Sequence, residues 1–178
     1  AQQVLDYAQA LYEKKLLTYP RTDPNYLTED MRDTLPGLCE AAISALPFPV
    51  TVSGVDAARV TDNAKVNDHH ALLPTNQMAG VDLSALPAGE RNLLTLVTIR
   101  LLCAVGEKQV YEDTEAEITC GGGLFTAKGR VIVSPGFTEV EQAFLSTLKK
   151  KPESDSKEEP GALPPLSQGQ TFEKVKAA

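Results

Sequence analysis

The residues with the most chemistry within reach stand in two short segments. The first is Thr18-Tyr19-Pro20-Arg21-Thr22-Asp23. Prolines at 20 and 24 keep this stretch from being helical, and Pro20 pushes Tyr19 towards an extended backbone. In extended chain, residues two apart point to the same side, so Tyr19 and Arg21 can meet one ligand. A phenol with an ordinary pKa of about 10 needs nearby positive charge or a base before it acts as a nucleophile. Arg21 suits that need, because a guanidinium stays charged and its planar fork can hold two phosphate oxygens while offsetting charge in a transition state. Asp23 could orient Arg21 or accept a hydrogen bond in the turn.

The second segment is Asp68-His69-His70. An imidazole can donate to a non-bridging phosphate oxygen or relay a proton, and an adjacent carboxylate favours its charged form. These are the chain's two histidines, and their place ahead of Ala71-Leu72-Leu73-Pro74 is hard to read as core packing. Taken in isolation, each segment also has a bland reading. The tyrosine fits a proline-rich surface turn, and the histidine pair fits an exposed loop or helix N-cap.

Helical spacing of Val4, Leu5, Ala8, Leu11 and Tyr12 predicts an amphipathic helix over residues 1–16, which delivers the chain into the tyrosine segment. Thr28, Glu29 and Asp30 read as the start of a helix that Pro36 interrupts. A further helical stretch carries Leu38, Ala41, Ala42 and Leu46 to the Pro47-Phe48-Pro49 stop, and the pair is compatible with a helix-turn-helix-like unit. A short strand is expected around residues 50–55. Residues 89–105 form a helix apolar on most sides, which predicts burial at the centre of its domain. Beyond Tyr111 the pattern becomes strand-like: residues 115–120 and 124–128 flank a Gly121-Gly122-Gly123 turn, with strands at 130–133 and 137–140 to follow. Residues 149–162 read as a flexible, solvated loop, and residues 170–175 as one more strand.

The 178 residues carry a net charge of −7, with 42% hydrophobic and 23% charged side chains. Such a composition is that of a globular protein and argues against broad electrostatic adhesion to nucleic acid. Any DNA reading has to rest on a local site. No apolar run approaches the roughly 20 residues of a membrane span, and a soluble, intracellular protein is expected. Cys39, Cys103 and Cys120 lack metal-ligand spacing and read as buried small hydrophobes. Because the chain opens at Ala1 directly into helical periodicity and its strand-rich part is thin, a piece of a longer protein is expected.

Together the two segments have the wording of a known family. Leu17-Thr18-Tyr19-Pro20-Arg21-Thr22-Asp23, with Tyr26-Leu27, resembles the active-site segment of type IA DNA topoisomerases. Asp68-His69-His70-Ala71-Leu72-Leu73-Pro74-Thr75 resembles that family's second active-site segment, as worded in the topoisomerase III branch. The likeness runs on through Glu90, Leu93, Leu96, Val97 and Arg100, through Ala127-Lys128-Gly129-Arg130 and Pro135-Gly136-Phe137, to Leu163-Pro164-Pro165-Leu166 with Gly169. It departs at Pro24, where many relatives carry Ser or Cys, and at Ile99, where an arginine pair is frequent.

The resemblance implies an α+β fold: a mainly helical, winged-helix or CAP-like tyrosine domain over residues 1–106, followed by a partial antiparallel β domain over 107–178. It implies that Tyr19 attacks single-stranded DNA to form a 5′-phosphotyrosyl link, with Arg21 and His69 on the scissile phosphate. Thr22, Asp23, His70, Thr75 and Arg100 would support the site or bind DNA. The family's magnesium ligands belong to an acidic Toprim domain whose Asp-x-Asp-x-Glu run has no counterpart here, and no ATP is required. The implied partners are therefore single-stranded DNA, the Toprim domain and the rest of the β domain, with no membrane, in a bacterial, cytoplasmic and nucleoid-associated setting. Alone, the chain is expected to be inactive. The rivals are a non-catalytic helix-turn-helix DNA-binding module, which would need a basic recognition helix where Arg32 stands almost alone, a tyrosine recombinase of opposite linkage polarity, and a purely structural interaction fragment.

Overall fold

The computed structural model describes residues 1–148 and 161–172. The fold is α+β and mostly helical, with five α-helices and a two-stranded antiparallel sheet among the described residues. It resolves into two compact units, one built on Ala1–Gln109 and the helix after Pro135, the other on the Val110–Ser134 hairpin.

In the first unit, α1 spans Gln2–Glu13, α2 Leu35–Ala45, α3 Ala57–Val60, α4 Ala88–Val105 and α5 Phe137–Thr147. The predicted first helix is present, and Ala8 and Leu11 carry its buried face. Val4 and Tyr12, expected on that face, are 53% and 41% exposed. The α4 helix is central as predicted, enclosing Leu94, Ile99, Leu102 and Val105. One core cluster gathers α2 and α4 around Leu35, Leu38, Leu102 and Val105, and Val140 of α5 joins it. Another joins Leu11, Leu16 and Leu17 to Met78, Leu83 and Leu94. Both clusters lie directly under the chain segments that carry the tyrosine and the histidines.

Two devices hold α4 in place. At its start, Gly89 lies against the Tyr7 ring, so closely that a Cβ there would fall 2.3 Å from a ring carbon. Beside it, Lys14 bonds to the buried carboxylate of Glu90. At the far end, Arg59 of α3 donates to the carbonyls of Ala104 (3.0 Å from Nε) and Gly106, and Asp56 N donates to Val105 O at 2.7 Å. Those carbonyls have no partner within the helix, so the side chain closes an otherwise open terminus.

Several expectations need correction. After Thr28 there is a single 3-10 turn, Glu29–Met31, without a side-chain cap from Thr28. Asn63 instead accepts from Glu29 N at 2.9 Å. Pro36 does not interrupt a helix but sits in the first turn of α2, where its missing N–H costs nothing. Residues 50–55 form no strand; Val50, Val52 and Val55 pack against the core as irregular chain instead. The strand expected at 137–140 is the start of α5. Gly136, at φ 50°, turns the chain into it, in a spot where a Cβ would fall 2.4 Å from the Lys108 carbonyl oxygen. Of the cysteines expected inside, Cys39 is buried, Cys103 partly buried and Cys120 exposed. Burial, helped by Glu40, pushes the Cys39 thiol up to about 11, which keeps it protonated and unreactive.

In the second unit, β1 (Val110–Cys120) and β2 (Gly123–Ser134) pair continuously from Tyr111–Ile132 to Cys120–Gly123, Glu115 opposite Lys128, with a register shift at Val133 before Val110 meets Ser134. The strands predicted at 124–128 and 130–133 are one continuous β2. Gly121 and Gly122, at φ 57° and 84°, supply the two left-handed residues that a two-residue hairpin loop requires. Residues 170–172 lie outside any strand; the rest of the strand expected at 170–175, like the loop expected at 149–162 up to residue 160, lies outside the described residues.

Candidate active site

The tyrosine segment and the histidine segment, remote in sequence, run side by side. Leu17 and Pro74 form an antiparallel bridge. Thr18 makes the closest clamp: its N–H donates to Leu73 O at 2.9 Å and its Oγ1 accepts from Leu73 N at 2.9 Å. Thr75 N donates to Leu16 O at 3.0 Å, and Ala71 N donates to Tyr26 O at 2.9 Å. Leu17, Leu27 and Leu73 anchor both segments to the core at 1–4% exposure. The apolar residues between the chemistry-bearing ones are therefore what hold the site together.

This pairing brings Tyr19 and His69 into ring contact, with centroids 4.6 Å apart and planes inclined at 37°. Tyr12 meets the Tyr19 ring edge-on at 5.6 Å and 80°. Thr22 Oγ1 donates to His70 O at 2.8 Å, tying the residue after Arg21 to the residue after His69. The His70 Nδ1 lies 2.7 Å from Ala71 O; with a carbonyl as acceptor, that nitrogen carries the proton.

Arg21 is exposed and, among the described residues, has neither an ion-pair nor a hydrogen-bond partner. Asp23 does not pair with it. Some cations of the same unit are matched to acids, Arg32 to Glu29 at 3.1 Å, Lys65 to Asp62 at 3.3 Å and Arg100 to Glu141 at 3.9 Å, whereas Arg21, like Lys15, Arg91 and Lys108, has no acid partner among the described residues. A guanidinium left open in an acidic protein is available to an anion. Lys65 also lies 4.1 Å above the Tyr26 ring, and hydrogen bonding to Tyr26 and then Asp62 raises its pKa. These contacts fix the turn ahead of the histidines.

Thr22, Asp23 and Arg100 line one cleft of about 410 Å³, walled by Leu73 and Val97. Thr75 sits elsewhere in the clamp. Its hydroxyl donates to Lys15 O at 2.5 Å and accepts from Gln77 N. Lys15 has φ 61°, unusual for a residue with a side chain, so Thr75 steadies the turn that leads from α1 into the tyrosine segment. Sequence reading missed Thr18 and Tyr12. Thr18 stands in the first segment with no role assigned to it, and Tyr12 reads as part of the apolar face of a helix; nothing in local spacing marks a contact made across a turn.

Among the described residues, no group of three or more His, Cys, Asp or Glu side chains is placed to hold a metal ion. The described residues do not fit a magnesium site. No helix among them is long and apolar enough to cross a membrane.

The sequence matches the family model for DNA topoisomerase across residues 1–178, and the chain belongs to that family. Within it, the likeness is to DNA topoisomerase 3, as the two motifs imply. The chain is 35% identical to the Bacillus licheniformis protein of that name and 33% identical to the Bacillus subtilis one, each over 97% of its length. It is 35% identical to that of Vibrio cholerae over 77%. It spans 22–24% of the length of these relatives.

Proposed function

We propose that this chain supplies the strand-cleaving tyrosine of a type IA, topoisomerase III-like enzyme. The phenolic oxygen of Tyr19 attacks a phosphodiester of single-stranded DNA; the bond to the 3′-oxygen breaks, leaving DNA joined to Tyr19 through its 5′-phosphate. The tyrosine gives up its proton and the departing 3′-oxygen takes one up. After another strand has passed, the 3′-hydroxyl attacks the phosphotyrosine and the exchange runs backwards. One phosphodiester replaces another, so no ATP is consumed.

The observation that carries this reading is the approach of the Tyr19 and His69 rings, two residues ahead of an exposed Arg21 that has no partner among the described residues. Phosphoryl transfer depends chiefly on positioning and on stabilising charge at the phosphate oxygens. Arg21 and His69 are donors suited to those oxygens, and either loss should cost about 10²-fold or more. Thr22 and Thr75 keep the two segments in register, His70 is part of that clamp, and Asp23 and Arg100 face the cleft along which the strand would run.

Magnesium and the grip on DNA fall, in this reading, to further topoisomerase domains. The 178-residue chain alone should not relax plasmid DNA, and relaxation by it would contradict this. The main test uses the complete topoisomerase carrying residues 1–178. Trapping with labelled single-stranded DNA should give a covalent adduct that Tyr19→Phe abolishes. A persisting adduct would remove Tyr19 from the role.

A further inference from the structure

We infer that Tyr12 is a positioning residue for Tyr19, holding the phenol ready before DNA arrives. The inference rests on Tyr19 being the nucleophile. An extended, proline-flanked backbone fixes where Tyr19 leaves the chain but not how its ring turns, and Tyr19 is only partly buried. Two rings settle that orientation. His69 lies against Tyr19 at 4.6 Å and a 37° tilt, and Tyr12 meets it edge-on at 5.6 Å and 80°. Edge-to-face is the favoured geometry for an aromatic pair, with the positive ring edge set on the negative face.

Tyr12 is poorly explained as a core residue. It is 41% exposed and belongs to neither buried cluster, and its hydroxyl has no hydrogen-bond partner among the described residues. What it offers is a ring, carried on the last turn of α1, whose Tyr12 carbonyl also accepts from Lys15 N at 2.8 Å. The same residue therefore joins the strained Lys15 turn to the ring of Tyr19. Removing it leaves the nucleophile, Arg21 and His69 in place but frees the phenol to rotate away from the attacking position.

The test compares Tyr12→Leu with Tyr12→Phe in the complete topoisomerase, measuring single-turnover cleavage of a labelled oligonucleotide and, separately, its equilibrium binding. Tyr12→Leu should slow cleavage about three- to ten-fold, the loss of one aromatic pair, with binding unchanged. Tyr12→Phe should restore the rate, and neither should shift its pH profile. Loss of cleavage in Tyr12→Phe would overturn the inference by making the hydroxyl the working part. Weaker binding by Tyr12→Leu would overturn it by making Tyr12 a surface for a DNA base, and an unchanged rate in Tyr12→Leu would overturn it outright. If Tyr12→Leu fails to fold, Tyr12→Gln takes its place at this exposed position: the same slowing is expected, and a native rate would overturn the inference. An adduct surviving Tyr19→Phe would sink the underlying reading instead, so the two failures are distinguishable.

Discussion

The unit built on Ala1–Gln109 and the β1–β2 hairpin organise their side chains in opposite ways. In the first, Leu11, Leu35, Leu94, Leu102 and Val105 are fully enclosed by residues distant in sequence. In the hairpin, Leu124, Phe125 and Val133 are 60–63% exposed. Its order comes from register and charge: Lys128 faces Glu115 at 3.1 Å, and Arg130 pairs with Asp113 through two bonds of 2.6 and 2.9 Å while lying 3.8 Å above Tyr111. A site assembled from two separate chain segments needs the first kind of order. Only dense, non-local packing fixes two backbones against each other closely enough to set one ring on another.

The sharpest way to break this contrast is a matched pair of truncations. Leu102→Ala should cost about 2–5 kcal/mol in denaturant unfolding, whereas Phe125→Ala should cost less than about 1 kcal/mol. Similar losses at both positions would erase the distinction. A smaller effect sharpens it at the site: Thr18→Val keeps the shape but leaves Leu73 N–H without its acceptor. That should cost about 1–3 kcal/mol and slow adduct formation, though Thr18 touches no DNA in the proposed chemistry.

The smallest effect belongs to the hairpin. Hydrogen bonding to Arg130 holds the Asp113 carboxyl below its ordinary 3.8. A group lowered in the folded state contributes stability above its unfolded pKa and loses it as pH falls through the folded value. Carboxyl NMR should therefore show Asp113 titrating below 3.8 and Arg130→Ala returning it towards that value. An unshifted Asp113 in the native protein would remove the ion pair from the account.

The same contrast explains what was legible in the sequence. Elements with a local signature were readable: α1, the apolar α4, and the hairpin turn at Gly121-Gly122. Errors arose where tertiary context decided, as at Pro36, which starts a helix instead of breaking one, and at Phe137–Val140, where Val140 is drawn into the core as a helical residue. Tyr19, Arg21 and His69 stood out because their residue types carry chemistry. Thr18 and Tyr12 did not, because the contacts they make, with Leu73 and with the Tyr19 ring, are ones that spacing cannot show.

In the proposed chemistry Tyr19 forms the transient bond to DNA. Its most direct test is mass spectrometry of the trapped adduct from the complete topoisomerase, digested with protease and nuclease. The expected result is a nucleotide on the peptide containing Tyr19, linked through its 5′-phosphate. A 3′-phosphate linkage, or attachment to any other residue, would contradict it.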